Sequence, residues 1–341
     1  MTNALWRRIV IVIATAGVTL ATVAYTNTAS ATPASTRSDL AMRSSTTLKV
    51  ALVAPSATND LNWTQSIYAA LEALKGPEHL KIAVSANEYV TSLAANIIEE
   101  YAHQGYNLII AHGTQYGSAI EQLAPKFPKV SFAWGTAGAT FGMSNVFAYE
   151  AAANEGGYVQ GYMAAMLNKS HVLGACGPIA AADDKLYIDG YSAGAKAAKP
   201  SMVVHEVYTG SYSDDSLMES CAKTYVADGV QVLSATTQSA VGALGVARSD
   251  NLPFFGNDWS MVSLAPHNVV SSEVYNWVPI LENIFADIRG GTRGDATFVI
   301  DLGNGGEKIV FNSRFHLAPS VKAQGEKLIK EITDGTLTPP Q

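Results

Sequence analysis

The chain reads as an α/β protein of two lobes, each a parallel sheet flanked by helices, and three observations predict this. Apolar strand-like runs alternate with amphipathic helix-like segments, the order that builds βα units. That alternation completes five strands by Tyr149 and begins again after Glu155. The length, 341 residues, exceeds one compact domain and suits two lobes of roughly 100–150 residues each.

The elements follow in order. Arg7 and Arg8, the apolar stretch Ile9–Tyr25 and Ala29-Ser30-Ala31 form the n-region, h-region and small-residue site of an export signal, residues 1–31. The apolar stretch approaches the ~18-residue lower range of a spanning helix, and the Ala-x-Ala site favours cleavage after Ala31 over retention as an anchor. A Ser/Thr/Pro/Ala-rich linker, residues 32–47, follows. Strands are then expected at Lys49–Val53, Lys81–Ser85, Leu108–Ala111, Val130–Ala133 and Val146–Tyr149, with helices at Ser66–Leu74, Leu93–His103 and Gly117–Ala124. The second round places helices at Glu155–Leu167, Ile188–Ala198 and Ser216–Ala227, and strands at Val172–Cys176, Val203–Val207, Val230–Ser234 and Pro253–Gly256. Val269–Ser272 reads as a further strand, and Val278–Arg289 as a helix closed by Gly290-Gly291.

Composition excludes several function classes. Hydrophobic residues make up 48% and charged ones 15%, which buries a core and argues against disorder. The net charge of −7 comes without any Lys/Arg run to track a phosphate backbone, so nucleic acid is not an expected partner. The seven histidines form no i, i+4 pair and no cluster with cysteine, so neither a metal nor a cofactor is expected. The two cysteines, Cys176 and Cys221, lie 45 residues apart; in an exported chain they can form a disulfide or stay as buried thiols.

Candidate ligand residues gather where strands end. In Lys49–Leu74 a strand runs into a loop carrying Asn59, Asp60, Asn62 and Trp63, and open α/β sheets bind ligands beyond the carboxyl ends of their strands. Thr114 and Gln115 end the third strand, and Thr237 with Gln238 occupy the corresponding turn of the second lobe. They can hydrogen-bond a ligand or simply satisfy turn backbone. Asp258 follows the apolar run Pro253–Gly256, where a carboxylate can accept from ligand hydroxyls or cap a helix.

Asp60-Leu61-Asn62-Trp63-Thr64-Gln65, read against a family motif Asp-x-Ser-Phe-Asn-Gln, resembles the opening of the basic membrane protein family, purine-nucleoside receptors of ABC transporters. Asn154-Glu155-Gly156-Gly157, Tyr208-Thr209-Gly210-Ser211-Tyr212 and Phe255-Gly256-Asn257-Asp258 extend the resemblance in order, from Lys49 to about Thr336. It implies a periplasmic-binding-protein-like type I fold with three interlobe crossings, near Glu150–Asn154, His267–Ser271 and Asp301–Gly306. Lobe one then comprises residues 48–150 and 271–302, and lobe two residues 151–270 and 303–341. It also implies an exported, envelope-associated, monomeric receptor that delivers a purine base or nucleoside to a membrane permease. A purine would be sandwiched between Trp63 and Tyr212, with Asp258 accepting from ribose hydroxyls.

Four departures qualify the match. No lipoprotein cysteine follows the h-region, the family's base-reading aspartate falls near Ala54 or Pro55, its lysine is replaced by Tyr275, and its stacking phenylalanine by Trp63. Loss of both charged groups points toward free purine bases, with Asn59, Asn62 and Asn276 as replacement amides. Two other readings fit parts of the sequence. Sugars or polyols can stack on the same aromatics and bond Asp258. Gly190-Tyr191-Ser192-Ala193-Gly194 matches the nucleophile elbow of serine hydrolases, although the polar run before it, Ala181–Lys185, is not the buried strand an elbow requires.

Overall fold

The computed structural model describes residues 46–341; the signal segment and most of the 32–47 linker lie outside them. The first lobe begins with β1 (Leu48–Val53), β2 (Leu80–Ser85), β3 (Leu108–Ala111), β4 (Ser131–Gly135) and β5 (Val146–Ala151). Helices α1 (Trp63–Lys75), α2 (Thr91–His103) and α3 (Gly117–Leu123) connect them. The second contains α4 (Asn154–Leu167), β6 (Val172–Gly177), α5 (Ala182–Ala198), β7 (Val203–Tyr208), α6 (Asp215–Ala227), β8 (Leu233–Ala235), α7 (Ala240–Ser249), β9 (Phe254–Gly256) and β10 (Val269–Tyr275). The chain then alternates through α8 (Val278–Gly290), β11 (Ala296–Ile300), β12 (Glu307–Phe311) and α9 (Pro319–Thr333).

Two six-stranded sheets result, ordered β11-β5-β4-β3-β1-β2 and β12-β10-β9-β8-β6-β7. The β3, β1 and β5 strands read as continuous apolar runs because helices cover both faces of the sheet. Helix α1 shows the local logic: Ile67, Ala70, Leu71 and Leu74, spaced three and four apart, form its buried stripe. Its first turn is ordered by Asp60, whose carboxylate accepts from the backbone amides of Asn62, Thr64 and Gln65.

One expected boundary moves. β10 pairs in parallel with β9 and antiparallel with β12, so its whole ladder keeps residues 269–275 in the second sheet. The expected crossing near His267–Ser271 therefore falls after Tyr275, and lobe one regains the chain only at α8 and β11. The return through residues 301–306 reverses direction, which makes β12 antiparallel. Neither β11, β12, α7 nor α9 was an expected element.

The Gly-x-Ser-x-Gly pentapeptide lies inside α5, with no strand leading into it. Its glycines serve helix packing instead. A Cβ on Gly190 or Gly194 would meet the backbone oxygen of Asn154 or Tyr158 at 2.3 and 2.0 Å, and one on Gly161 would stand 1.9 Å from the Tyr191 oxygen. Helices α4 and α5 thus touch backbone to backbone. Cys176, on β6, is disulfide-bonded to Cys221 on α6, with a Cα–Cα distance of 6.4 Å.

Gly161→Ala should lower unfolding free energy by about 1–3 kcal/mol, the usual cost of overpacking. In contrast, Gly245→Ala, in the open interior of α7, should raise it by about 0.4–1 kcal/mol. Urea denaturation of the two variants checks both signs. Replacing Cys176 and Cys221 together by alanine should cost about 2–4 kcal/mol, because their bridge closes a 45-residue loop, read as a shift in denaturant midpoint that reductant no longer changes.

Candidate functional site

All six strands of the first sheet and all but β12 of the second run parallel, so their carboxyl ends and following loops gather along one edge, where the lobes face each other. A cleft lies there, with about 360 Å³ of space between the walls that includes open solvent. From lobe one it is lined by Pro55 after β1, Tyr89 after β2, Gly113, Thr114 and Gln115 after β3, Thr136 after β4, and Trp63. From lobe two come Asp183 and Asp184 after β6, Tyr212 after β7, Thr237 and Gln238 after β8, and Asp258 after β9. Each wall is thus a row of strand ends. Three non-glycine lining residues, Thr136, Thr237 and Asp258, hold φ of 56°, 75° and 63°. Such left-handed backbone costs about 1–3 kcal/mol each and collects where a loop must aim a side chain.

Trp63 is 6% exposed and forms the floor of the lobe-one wall. It stacks on His112 with ring centroids 4.0 Å apart and planes 7° from parallel, and its indole N–H donates to the His112 carbonyl at 3.1 Å. Trp277 meets both rings edge-on, and its own N–H donates to Ser66 Oγ at 2.7 Å. The His112 ring is fully buried between the Tyr149 hydroxyl at 2.7 Å and the Trp63 carbonyl at 3.3 Å. Burial pushes its pKa down to about 3, so it stays neutral.

Across the cleft Tyr212 approaches Tyr89, and its backbone N–H donates to the Tyr89 hydroxyl at 3.2 Å, a direct bond between lobes. Thr114 and Thr136 join hydroxyl to hydroxyl, and Thr237 Oγ1 donates to Gln238 Oε1 at 2.6 Å. The lobe-two wall is strongly acidic. Burial raises Asp183 to about 7 and holds Asp184 and Asp258 well above the ordinary carboxylate range, each further raised by its acidic neighbours. Hydrogen counting agrees. Thr236 Oγ1 lies 2.6 Å from Asp184 Oδ1 and 2.8 Å from Asn257 Oδ1, and a hydroxyl has one proton for two acceptors. A proton on Asp184 resolves the conflict. Beneath the wall, Asn257 donates to Glu273 Oε2 at 2.8 Å and to the Tyr275 hydroxyl at 3.1 Å. Glu273 and Glu307, both buried, are likewise raised by desolvation, and Glu307 is raised further by the neighbouring Glu273.

Six of the expected ligand residues therefore line the cleft: Trp63, Thr114, Gln115, Tyr212, Thr237 and Asp258. Four do not. Asn59 is exposed on the loop outside it. Asn62 is the α1 N-cap, its Oδ1 accepting from the Trp63 amide at 2.9 Å. Tyr275 is buried behind the wall against Trp63 and Trp277. Asn276 is spent on a turn, donating to the Gly305 carbonyl at 3.3 Å and accepting from the Val278 amide. Tyr89, Thr136, Asp183 and Asp184 were missed. The only hint for the acid pair was their polarity just after an apolar strand. Among the described residues no group of His, Cys, Asp or Glu is placed to hold a metal ion.

Fold and cleft together define a two-lobed binding protein of the solute-binding class. A solute-binding protein of an ABC transporter system from Conexibacter woesei superposes with a TM-score of 0.70 at 25% identity, covering 86% of this chain and 98% of that one. The chain belongs to the Bmp family, described as ABC transporter substrate-binding protein PnrA-like, whose pattern matches residues 47–335. Members of this family are extracytoplasmic substrate-binding proteins. A purine-binding protein of Brucella abortus is 28% identical over 68% of this chain and 66% of its own length. An ABC transporter nucleoside-binding protein of Lactococcus lactis is 24% identical over 86% of this chain and 90% of its own.

Between pH 3.8 and about 7 the unfolded chain has lost the proton that folded Asp183 keeps, so this group makes stability fall as pH rises through that window. Asp183→Asn should remove its contribution. The stability difference between variant and parent, measured without ligand, should grow in the variant's favour from pH 4 to 7 and level off above.

Proposed function

We propose that this protein is the receptor of an ABC importer that closes its lobes on a purine base or nucleoside and presents it, as a monomer, to a membrane permease. The observation that carries this reading is that aromatic side chains from both lobes, Trp63 and Tyr89 from one and Tyr212 from the other, line a single cleft together with hydroxyl, amide and carboxyl groups. A flat heterocycle stacked there gains about 1–3 kcal/mol per aromatic face, and its polar edge meets donors and acceptors already in place. The purine- and nucleoside-binding relatives support the same ligand class.

The departures from the family pattern acquire a spatial meaning. Pro55 occupies the cleft where the base-reading aspartate falls, so the edge of a base is left to Thr114, Gln115, Thr136 and Gln238. Tyr275, in place of the lysine, stays behind the wall, and Asp258 receives ribose or ring donors without a neighbouring cation. Closing is driven by contacts to both lobes at once, since a ligand shifts an open–closed equilibrium only by its differential affinity for the two states. The Tyr89–Tyr212 bond joins the two lobes, so opening the cleft would break it.

Mass spectrometry of the small molecule released from denatured, freshly purified protein tests the assignment, with calorimetric titration of the stripped protein against purine bases, nucleosides and sugars. A purine is the expected finding; recovery of a sugar, or silence across the purines, would overturn it.

Two substitutions should separate stacking from packing. Tyr212→Ala should weaken purine binding about tenfold or more, from the stacking range, with little change in melting temperature. Trp63→Ala should lose similar affinity and also about 3–5 kcal/mol of stability, because its ring supports His112 and Trp277. Titration and denaturation of both variants check this.

A further inference from the structure

We propose that the cleft selects a flat organic cation, a ring system carrying a positive charge that Asp183, Asp184 and Asp258 neutralise while Trp63, Tyr89 and Tyr212 cover its faces. This rests on the cleft being the ligand site and deepens that reading by naming the charge of the ligand.

The argument begins with what the three carboxyls lack. Asp183, Asp184 and Asp258 are 7%, 6% and 2% exposed. No Lys or Arg lines the cleft beside them, and no ion pair among the described residues includes any of the three. Buried carboxylates without a partner are costly, and buried charges in proteins are ordinarily paired. Asp183 and Asp184 have a partial structural reason, since they occupy the first turn of α5, where the helix dipole favours negative charge. Asp258 has none. It follows β9 in left-handed backbone, it lines the cleft, and its buried Oδ1 has no hydrogen-bond partner. A strained residue holding an unpartnered acceptor at the mouth of a ligand site is arranged for a donor that arrives from outside.

The aromatic walls narrow the class of that donor. A ring face attracts cations through its quadrupole, and desolvated sites strengthen the attraction. Aromatic faces beside carboxylates, with no base among the lining residues, are the combination that recognises organic cations. The raised carboxyls point the same way: without a counter-cation these acids favour their protonated forms, and a ligand cation would replace the protons, so charge is conserved when proton leaves and cation enters. An anionic ligand, such as a phosphorylated nucleoside, meets three acids and no cation. Neighbouring Asp60 and Glu150 add to the negative field at these groups.

Calorimetric titration of the stripped protein at neutral pH with two matched pairs tests this: adenosine against 1-methyladenosine, and nicotinamide against 1-methylnicotinamide. In each pair methylation makes the flat ring cationic at neutral pH. The cationic member of a binding pair should bind at least tenfold more tightly. That preference should fall below threefold in Asp258→Asn and in the Asp183→Asn/Asp184→Asn double variant, with melting curves establishing that both remain folded. Should either variant fail to fold, phosphorylated adenosine supplies the independent reading: it should bind the parent at least tenfold more weakly than adenosine.

The failures are separable. If 1-methylnicotinamide keeps the preference while no purine binds, the purine assignment falls and the charge selectivity stands. If adenosine binds as tightly as its methylated cation, or the preference survives both sets of substitutions, the purine assignment stands and the charge selectivity is overturned. Binding by neither cation would also overturn it.

Discussion

The stack of Trp63 on His112 is the contact around which the lobe-one wall of the cleft is organised. His112 follows β3 and Trp63 opens α1, so a single ring-on-ring contact ties a strand end to the helix beside it. Trp277, at the start of α8 just after the chain leaves the second sheet, packs edge-on against both and bonds Ser66 of α1. The crossing segment is thereby anchored to the same cluster that presents the indole to the cleft. This requires a neutral imidazole. Complete burial without a carboxylate partner keeps it so, since a charged ring there would be both desolvated and unpaired.

A second constraint is the burial of acids in and behind the cleft. Asp184, Thr236, Asn257 and Glu273 are linked in sequence from the ligand wall into the core of lobe two, and Glu307 adjoins the far end. Gly156 leaves room for Glu273, since a Cβ there would sit 2.2 Å from its Oε1. Gly157, Gly161, Gly190 and Gly194 permit the backbone-to-backbone contact of α4 with α5, the helix whose first turn carries Asp183 and Asp184. The small-residue surface that resembles a hydrolase elbow in sequence therefore positions the acids of a binding cleft. Its serine sits in a helix interior, where the strand-to-helix turn of an elbow is absent.

Much of the fold was legible because βα units write a strong local signal. Runs such as Leu108–Ala111 are apolar throughout because both sheet faces are covered, and α1 and α8 carry clear amphipathic stripes. Gly291 duly terminates α8, with φ of 97°. The elements after α8 were harder. β11 and β12 are edge strands with alternating exposure, so their sequences resemble surface loops, and α9 has few buried residues spread over four turns. The chain passes from the first sheet to the second between β11 and β12, and β10 stays in the second because it hydrogen-bonds on both sides there, a fact no local pattern contains.

The sequence by itself determined the two rounds of strands and helices, the strand-end positions of Trp63, Thr114, Gln115, Tyr212, Thr237 and Asp258, and the family to which the chain belongs, because these are properties of local periodicity and ordered motifs. Tertiary structure alone decided which polar groups face the cleft. Asn62 and Asn276 are consumed by a helix cap and a turn, and Tyr275 is turned behind the wall, while Tyr89 reaches across from the opposite lobe. Asp183 and Asp184, which read locally as helix-start acids, become part of a ligand wall only when β6 and β9 bring them beside Asp258. The physical reason is the same in each case: hydrogen bonding and charge burial depend on neighbours distant in sequence.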